Sequence, residues 1–179
     1  MTPFIAFLRA INVGGHNKIK MSDLKSTFEE LGFANVKTFI QSGNIFFESS
    51  EKNTEKLEAL ISKKIKSNMN MNVPCMIRKV TAIEAIVKNN PAQKIKIPVG
   101  FVADVTFLKT PIKPTEKFPL TLAKGDLKLI AFNKTELYSI HRAFGKSPSI
   151  PSLTEKWGSV STTRKMDMVK KMLSSQKGT

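Results

Sequence analysis

Two stretches near the N-terminus combine the residue types that hold anions: Arg9 with Asn12-Val13-Gly14-Gly15-His16-Asn17-Lys18, and Gln41-Ser42-Gly43-Asn44. Glycines let successive backbone N–H groups converge on one point, and lysine and arginine add positive charge. Asn, Gln and Ser carry neutral donors and acceptors that can orient a sugar, a base or a phosphate ester. The spacing is neither G-x-G-x-x-G nor that of a Walker A loop, so no nucleotide fingerprint is present. A tight turn with positive φ accounts for the same glycines without any ligand.

Two later stretches carry related chemistry. His141-Arg142-Ala143-Phe144-Gly145-Lys146-Ser147 resembles the end of a phosphate loop, yet Ile140 stands where the first glycine belongs and Pro148 where the helix should begin. Arg142 and Lys146, with the Ser147 hydroxyl, would contact a phosphate or carboxylate there. Ser161-Thr162-Thr163-Arg164-Lys165 precedes an amphipathic run, and its hydroxyls suit a helix N-cap. Arg164 and Lys165 would then sit at the positive end of the macrodipole, an unfavourable placement that a bound anion offsets. His16 and His141 are the only histidines and the candidates for acid–base work near neutrality. No H-x-x-x-H, paired-carboxylate signature or multi-cysteine spacing points to a metal, and no cofactor is indicated. The single cysteine, Cys75, falls within an apolar run and reads as a small core residue.

The elements that must position these residues follow from periodicity. Residues 4–9 alternate as a buried strand that delivers Arg9 to its end. Ser22 is the expected N-cap of a helix carrying Leu24, Phe28 and Leu31 on one face, closed by Gly32. Residues 36–40 and 44–47 read as strands joined by the Gln41–Asn44 turn, residues 54–67 as a second helix, and residues 73–79 as a fourth strand. The order β-α-β-β-α-β is that of the ferredoxin-like split unit. Thr81 is the expected cap of a short helix, with Glu84 completing its box. A second subdomain is expected over residues 81–179: a strand at 101–108, a proline-rich connection, paired strands at 127–132 and 136–140, and helices near 151–157 and 162–174. The fold class is therefore α+β, two ferredoxin-like subdomains with the boundary at residue 80. Phe4, Phe7, Phe46 and Phe47 are expected in the core rather than as a base-stacking platform, because Ser42–Ser49 shares little with the RNP1 pattern.

The net charge of +15 is the largest departure from average composition, and residues 109–179 alone carry 14 basic and 5 acidic side chains. Such a surface attracts polyanions, although the lysine excess, 25 of 29 cations, also fits a compositional bias. Against that background the four arginines, Arg9, Arg78, Arg142 and Arg164, mark positions where a planar fork is retained. No apolar run approaches the roughly 20 residues of a membrane span, and the apolar start is too short for a signal sequence. A cytoplasmic protein without membrane contact is expected, and nothing in the chain sets an oligomeric state.

Leu8-Arg9-Ala-Ile-Asn-Val-Gly-Gly15, Asn17-Lys-Ile-Lys-Met21, Leu31-Gly-Phe33 and Thr38-Phe-Ile-Gln-Ser-Gly-Asn44 together resemble the bacterial family known as domain of unknown function 1697. Gly145-Lys-Ser147 and Thr162-Thr-Arg164 match its later motifs. The resemblance implies an α+β architecture of two ferredoxin-like subdomains and brings no activity with it. Ala10 stands where the family usually has Gly, and Phe39 where Tyr is common. After Arg164 the family typically continues Asn-Trp-Asn-Thr, where this chain has Lys165-Met-Asp-Met168.

One polar cluster is therefore expected from Arg9, Asn12, His16, Lys18, Gln41, Ser42 and Asn44, with Arg142, Lys146 and Arg164 approaching it from the second half. Its leading function is binding of an anionic ligand, nucleic acid ahead of a small phosphorylated molecule. The alternatives are an enzyme acting on a small phosphorylated or carboxylated metabolite, with His16 or His141 as acid or base, and a protein-interaction module.

Overall fold

The structure, a computed structural model, describes residues 1–13, 17–114, 116–144 and 150–176. The chain divides into two compact units, Met1–Ile83 and Glu84–Thr179. The fold class is α+β, with helices packed on two antiparallel sheets.

In the first unit the order is β1 (Thr2–Leu8), α1 (Met21–Glu29), β2 (Ala34–Phe39), β3 (Asn44–Ser49), α2 (Thr54–Met69) and β4 (Cys75–Lys79). The strands lie in the order β2-β3-β1-β4, all antiparallel, which is the ferredoxin-like arrangement. Phe4, Ala6 and Leu8 alternate onto the face that packs under Leu24, Phe28, Leu57, Ile61 and Ile65 of the two helices. Phe28, Phe33 and Phe47 meet edge-on or tilted, with centroids 4.6–5.9 Å apart. Phe7 and Phe46 are buried on the opposite face, so none of the four phenylalanines is a stacking platform. The β4 edge is tied to α2 by buried Glu58, whose carboxylate accepts from the Ile77 N–H at 2.8 Å.

Helix α1 starts one residue before the expected cap. Lys20 occupies the N-cap position without a side-chain hydrogen bond, and the Ser22 hydroxyl bonds to Asp23 instead. Thr81 likewise lies inside α3 (Val80–Lys88) rather than before it.

The second unit follows with β5 (Phe101–Leu108), β6 (Leu120–Leu122), β7 (Leu127–Asn133), β8 (Glu136–Arg142), α4 (Ile150–Lys156), β9 (Ser161–Lys165) and α5 (Met166–Ser174). Its sheet runs β6-β7-β8-β5-β9, the same central order as the first with an added edge strand. The helix that should cross from the first strand to the second is absent among the described residues. The proline-rich connection, β6 and a short 3-10 turn at Ala123–Gly125 take its place. Leu108, Leu127, Leu129 and Leu137 form the core face beneath Ile150, Leu153 and Trp157.

Residues 161–165 correct the sequence reading. They are a strand paired along β5 from Asp104↔Lys165 to Leu108↔Ser161, and the helix cap falls at the end of that strand, on Lys165, rather than on the Ser161–Thr163 hydroxyls. β-Branched Thr162 and Thr163 fit the pleat, and the open edge of β5 supplies hydrogen bonds no local cap could match. Arg164 therefore lies within the strand, one residue before the cap, and only Lys165, at the N-cap position of the helix Met166–Ser174, keeps the helix-end placement expected for the pair.

Candidate functional site

In the first unit, β1 and the β2–β3 turn bring the two N-terminal motifs together around a cleft. Its volume is about 770 Å³, and it is lined by Asn12, Lys18, Ile19, Lys20, Met21, Ser22 and Gln41. Two lysines, a serine and two amide residues line it beside Ile19 and Met21, and none of those seven residues is acidic. The start of α1 lies in the same wall, where an uncapped helix contributes partial positive charge.

The backbone around the cleft is held in costly conformations. Ala10, Asn12, Asn17 and Ile40 have φ of 54°, 54°, 48° and 48°, the left-handed region that disfavours a side chain, most of all a β-branched one. Asparagine amides hold these turns. Asn12 donates from Nδ2 to the carbonyls of Ile19 and Gln41, both at 3.0 Å, while its Oδ1 accepts from Ile19 N–H at 2.8 Å. Asn17 donates to the Ala10 carbonyl at 3.0 Å. Asn12 is thus spent on the framework, and its part in the cleft is to staple the first loop to the second.

The second motif is likewise mostly framework. Buried Asn44 donates to the Ser42 hydroxyl at 2.7 Å and the Phe39 carbonyl at 3.3 Å. Gly43, at φ +73°, passes so close to the strand that its carbonyl accepts from Leu8 N–H at 2.8 Å. Gln41 lines the cleft, and its backbone carbonyl accepts from Asn12. Arg9 is half-buried beyond β1, with its N–H on the Pro74 carbonyl at 2.9 Å, and is not among the lining residues. Gly14, Gly15 and His16 lie outside the described residues. Lys20 and Ser22 were missed as site residues, although the Lys18-Ile19-Lys20 alternation just before a helix was the signal for them.

The second unit holds its candidates differently. Arg142 Nε donates to Asp126 at 2.6 Å, and the guanidinium lies 5.1 Å over the Phe101 ring, so its fork is already engaged. Arg164 donates to the Thr162 hydroxyl at 2.7 Å and the Thr163 carbonyl at 2.9 Å, and burial lowers its pKa to about 10. Arg142 pairs with Phe101 and Arg164 with Val105, so the two arginines lie four positions apart along β5. Lys146 and Ser147 lie outside the described residues.

His141 has a partner that the sequence reading did not identify. Its Nδ1 is hydrogen-bonded to Asp104 of the central strand, and the two side chains are 14% and 2% exposed. Burial raises the Asp104 pKa to about 6, against the opposing pull of His141 and Lys165. An ionisable residue inside the apolar run Phe101-Val-Ala-Asp-Val-Thr-Phe-Leu108 was the available signal. No group of three or more potential metal ligands occurs among the described residues. No helix among them is long and apolar enough to cross a membrane.

A four-stranded ferredoxin-like unit and a five-stranded variant of it, in one α+β chain, define the structural class. The chain belongs to the family described as protein of unknown function (DUF1697), whose model matches residues 1–138. Among solved structures it is similar to that of the conserved bacterial protein SP0830 from Streptococcus pneumoniae. The two share 21% identity at a TM-score of 0.65, covering 96% of this chain and 98% of that one, a likeness of fold. No curated protein matches the chain.

Proposed function

We propose that the protein binds an anionic ligand in the cleft of its first unit, with nucleic acid ahead of small phosphorylated molecules. The observation that carries this reading is the lining itself: Lys18, Lys20, Ser22 and Gln41 around about 770 Å³, with no carboxylate among the described lining residues. Lysines hold phosphate as point charges, while the amide and hydroxyl orient sugar or base. Ile19 and Met21 give the same wall an apolar surface on which a base or sugar can rest. The net charge of +15 favours a polyanion by raising its local concentration and speeding encounter.

The test is fluorescence anisotropy of labelled single-stranded RNA, single-stranded DNA and duplex DNA over a salt series. The double variant Lys18→Ala/Lys20→Ala should weaken binding tenfold or more and flatten the log–log salt slope by about 2. Lys52→Ala, an exposed lysine outside the cleft, should change affinity less than twofold. Equal losses from both would reduce binding to diffuse surface charge and overturn the cleft as the site.

A further inference from the structure

Beyond the anion cleft, and independent of it, one end of the second sheet presents apolar side chains to solvent among cations. Residues 95–100 lead from the 3-10 turn Pro91–Lys94 into β5, and residues 143–144 follow β8 at the same end. The Ala143 N–H donates to the Gly100 carbonyl at 2.7 Å, which holds the two segments side by side. Val99 and Phe144 are the next residues out. Val99 is fully exposed, Phe144 is 81% exposed and Ile97 36%. The Arg142 N–H donates to the Asp126 carbonyl, so the turn at Ala123–Gly125 joins the same end.

The unpaired charge here is positive. Lys94, Lys96 and Lys124 are exposed and form no ion pair with a described residue. The two carboxylates beside them are already engaged. Asp126 accepts from Arg142 at 2.6 Å, and Asp167, which shares a small hollow with Ile97, lies 3.4 Å from the Lys170 ammonium.

A lone exposed apolar residue needs no explanation, but adjoining ones among cations mark an interaction surface. Shape and charge select its occupant. A specific protein interface covers roughly 800 Å² on each partner, far more than three side chains at a tip supply. A second copy would bring the same lysines against these and be repelled. Ile97 and Val99 have no π-face, so a run of unstacked bases would find one exposed aromatic, Phe144, to rest on. A bilayer surface asks for less area: apolar side chains that reach the boundary of headgroups and acyl chains, with cations beside them. The expectation of no membrane contact came from the lack of a spanning run, and binding at a bilayer surface requires none.

We propose that this end of the second sheet docks on a bilayer containing anionic phospholipid, with Val99 and Phe144 entering the interface and Lys94, Lys96 and Lys124 attracted to the lipid phosphates. Insertion of so few side chains is weak alone, and so is attraction by three lysines. The two reinforce one another because both engage the same surface at once.

The experiment is co-sedimentation of the full chain with vesicles of phosphatidylcholine alone and of phosphatidylcholine mixed with phosphatidylglycerol, over a salt series. Binding to the mixed vesicles and not to the neutral ones is expected, weakening as salt rises. The double variant Val99→Ser/Phe144→Ser should lower the partition coefficient by about tenfold or more. Lys94→Ala and Lys96→Ala should each lower it about fivefold, and Lys52→Ala, an exposed lysine of the first unit, less than about twofold. All of these side chains are exposed, so the variants keep the fold, which circular dichroism checks. Absence of binding to the mixed vesicles overturns the proposal. So does undiminished binding of Val99→Ser/Phe144→Ser, which would leave only diffuse attraction of a chain carrying +15. Loss of RNA binding rather than vesicle binding in that double variant would assign the tip to nucleic acid and overturn the proposal equally.

Discussion

Replacement of Gly43 by alanine tests the framework of the cleft. Gly43 has φ +73°, and an added Cβ would lie 2.7 and 2.8 Å from Ile11 Cδ1 and Cγ1 and 2.9 Å from Leu8 Cβ. Rotation of Ile11 could relieve the first two contacts. Leu8 Cβ is fixed to the backbone of β1, so the third requires the turn itself to move. Leu8 and Ile11 are both fully packed in the core, which leaves little room for adjustment. The left-handed backbone costs an alanine about 1–2 kcal/mol, and reduced freedom of the unfolded chain returns about 0.4–1 kcal/mol. Overpacking adds about 1–3 kcal/mol, for a total destabilisation on the order of 2–4 kcal/mol. Gly32→Ala is the matched control, at φ +77° with nothing within 4 Å of the added Cβ. It bears only the backbone terms, about 1 kcal/mol. Urea denaturation followed by circular dichroism measures both, and hydrogen exchange at the Leu8 amide reports the bond to the Gly43 carbonyl. Equal losses in the two variants would refute the claim that close approach to β1, rather than φ alone, demands glycine.

Three further outcomes follow from the packing. Ser139→Ala removes a buried hydroxyl that has no partner and should leave stability unchanged or raise it by about 1 kcal/mol, read from the denaturation midpoint. Glu58→Ala strips the acceptor from the Ile77 N–H and should cost about 2 kcal/mol, whereas Glu58→Gln keeps an acceptor and should cost less; thermal melts separate the two. For Asp104 the folded pKa, about 6, exceeds the ordinary 3.8, so protonation favours the folded state. Its stabilising contribution is complete below pH 4 and lost as the pH rises towards and through 6. The stability of Asp104→Asn relative to the unaltered chain should therefore improve across that window, and a constant difference would contradict the burial argument.

Much of the first unit is legible from local pattern. The short continuous apolar run of residues 4–8, the helical spacing of Leu24, Phe28 and Leu31, and the Ser42-Gly43 turn each carry a compositional, periodic or conformational signal within a few residues. Their consistency selects the split β-α-β unit before any contact is known. The same holds for the buried phenylalanines and for Cys75, whose types and positions leave few alternatives to the core. In the cleft, the two N-terminal motifs lie side by side, while Asn12 and Asn44 make hydrogen bonds that hold the loops themselves. Asn12, Ser42 and Asn44 are the residue types that bind ligands and also those that brace turns, and only their hydrogen-bond partners distinguish the two uses.

The sequence by itself determined the α+β class, the first unit's strand order through its β-α-β-β-α-β pattern, and the net charge of +15. The tertiary structure alone decided that Ser161–Lys165 is a strand, because the open edge of β5, more than fifty residues upstream, outweighs the local preference for a cap. It alone joined Asp104 to His141, which are 37 residues apart and meet only through the register of β5 on β8. Periodicity is a property of neighbours along the chain, whereas a register is chosen by the combined burial of both strands. Side chains that meet across a sheet become visible only once the chain has folded.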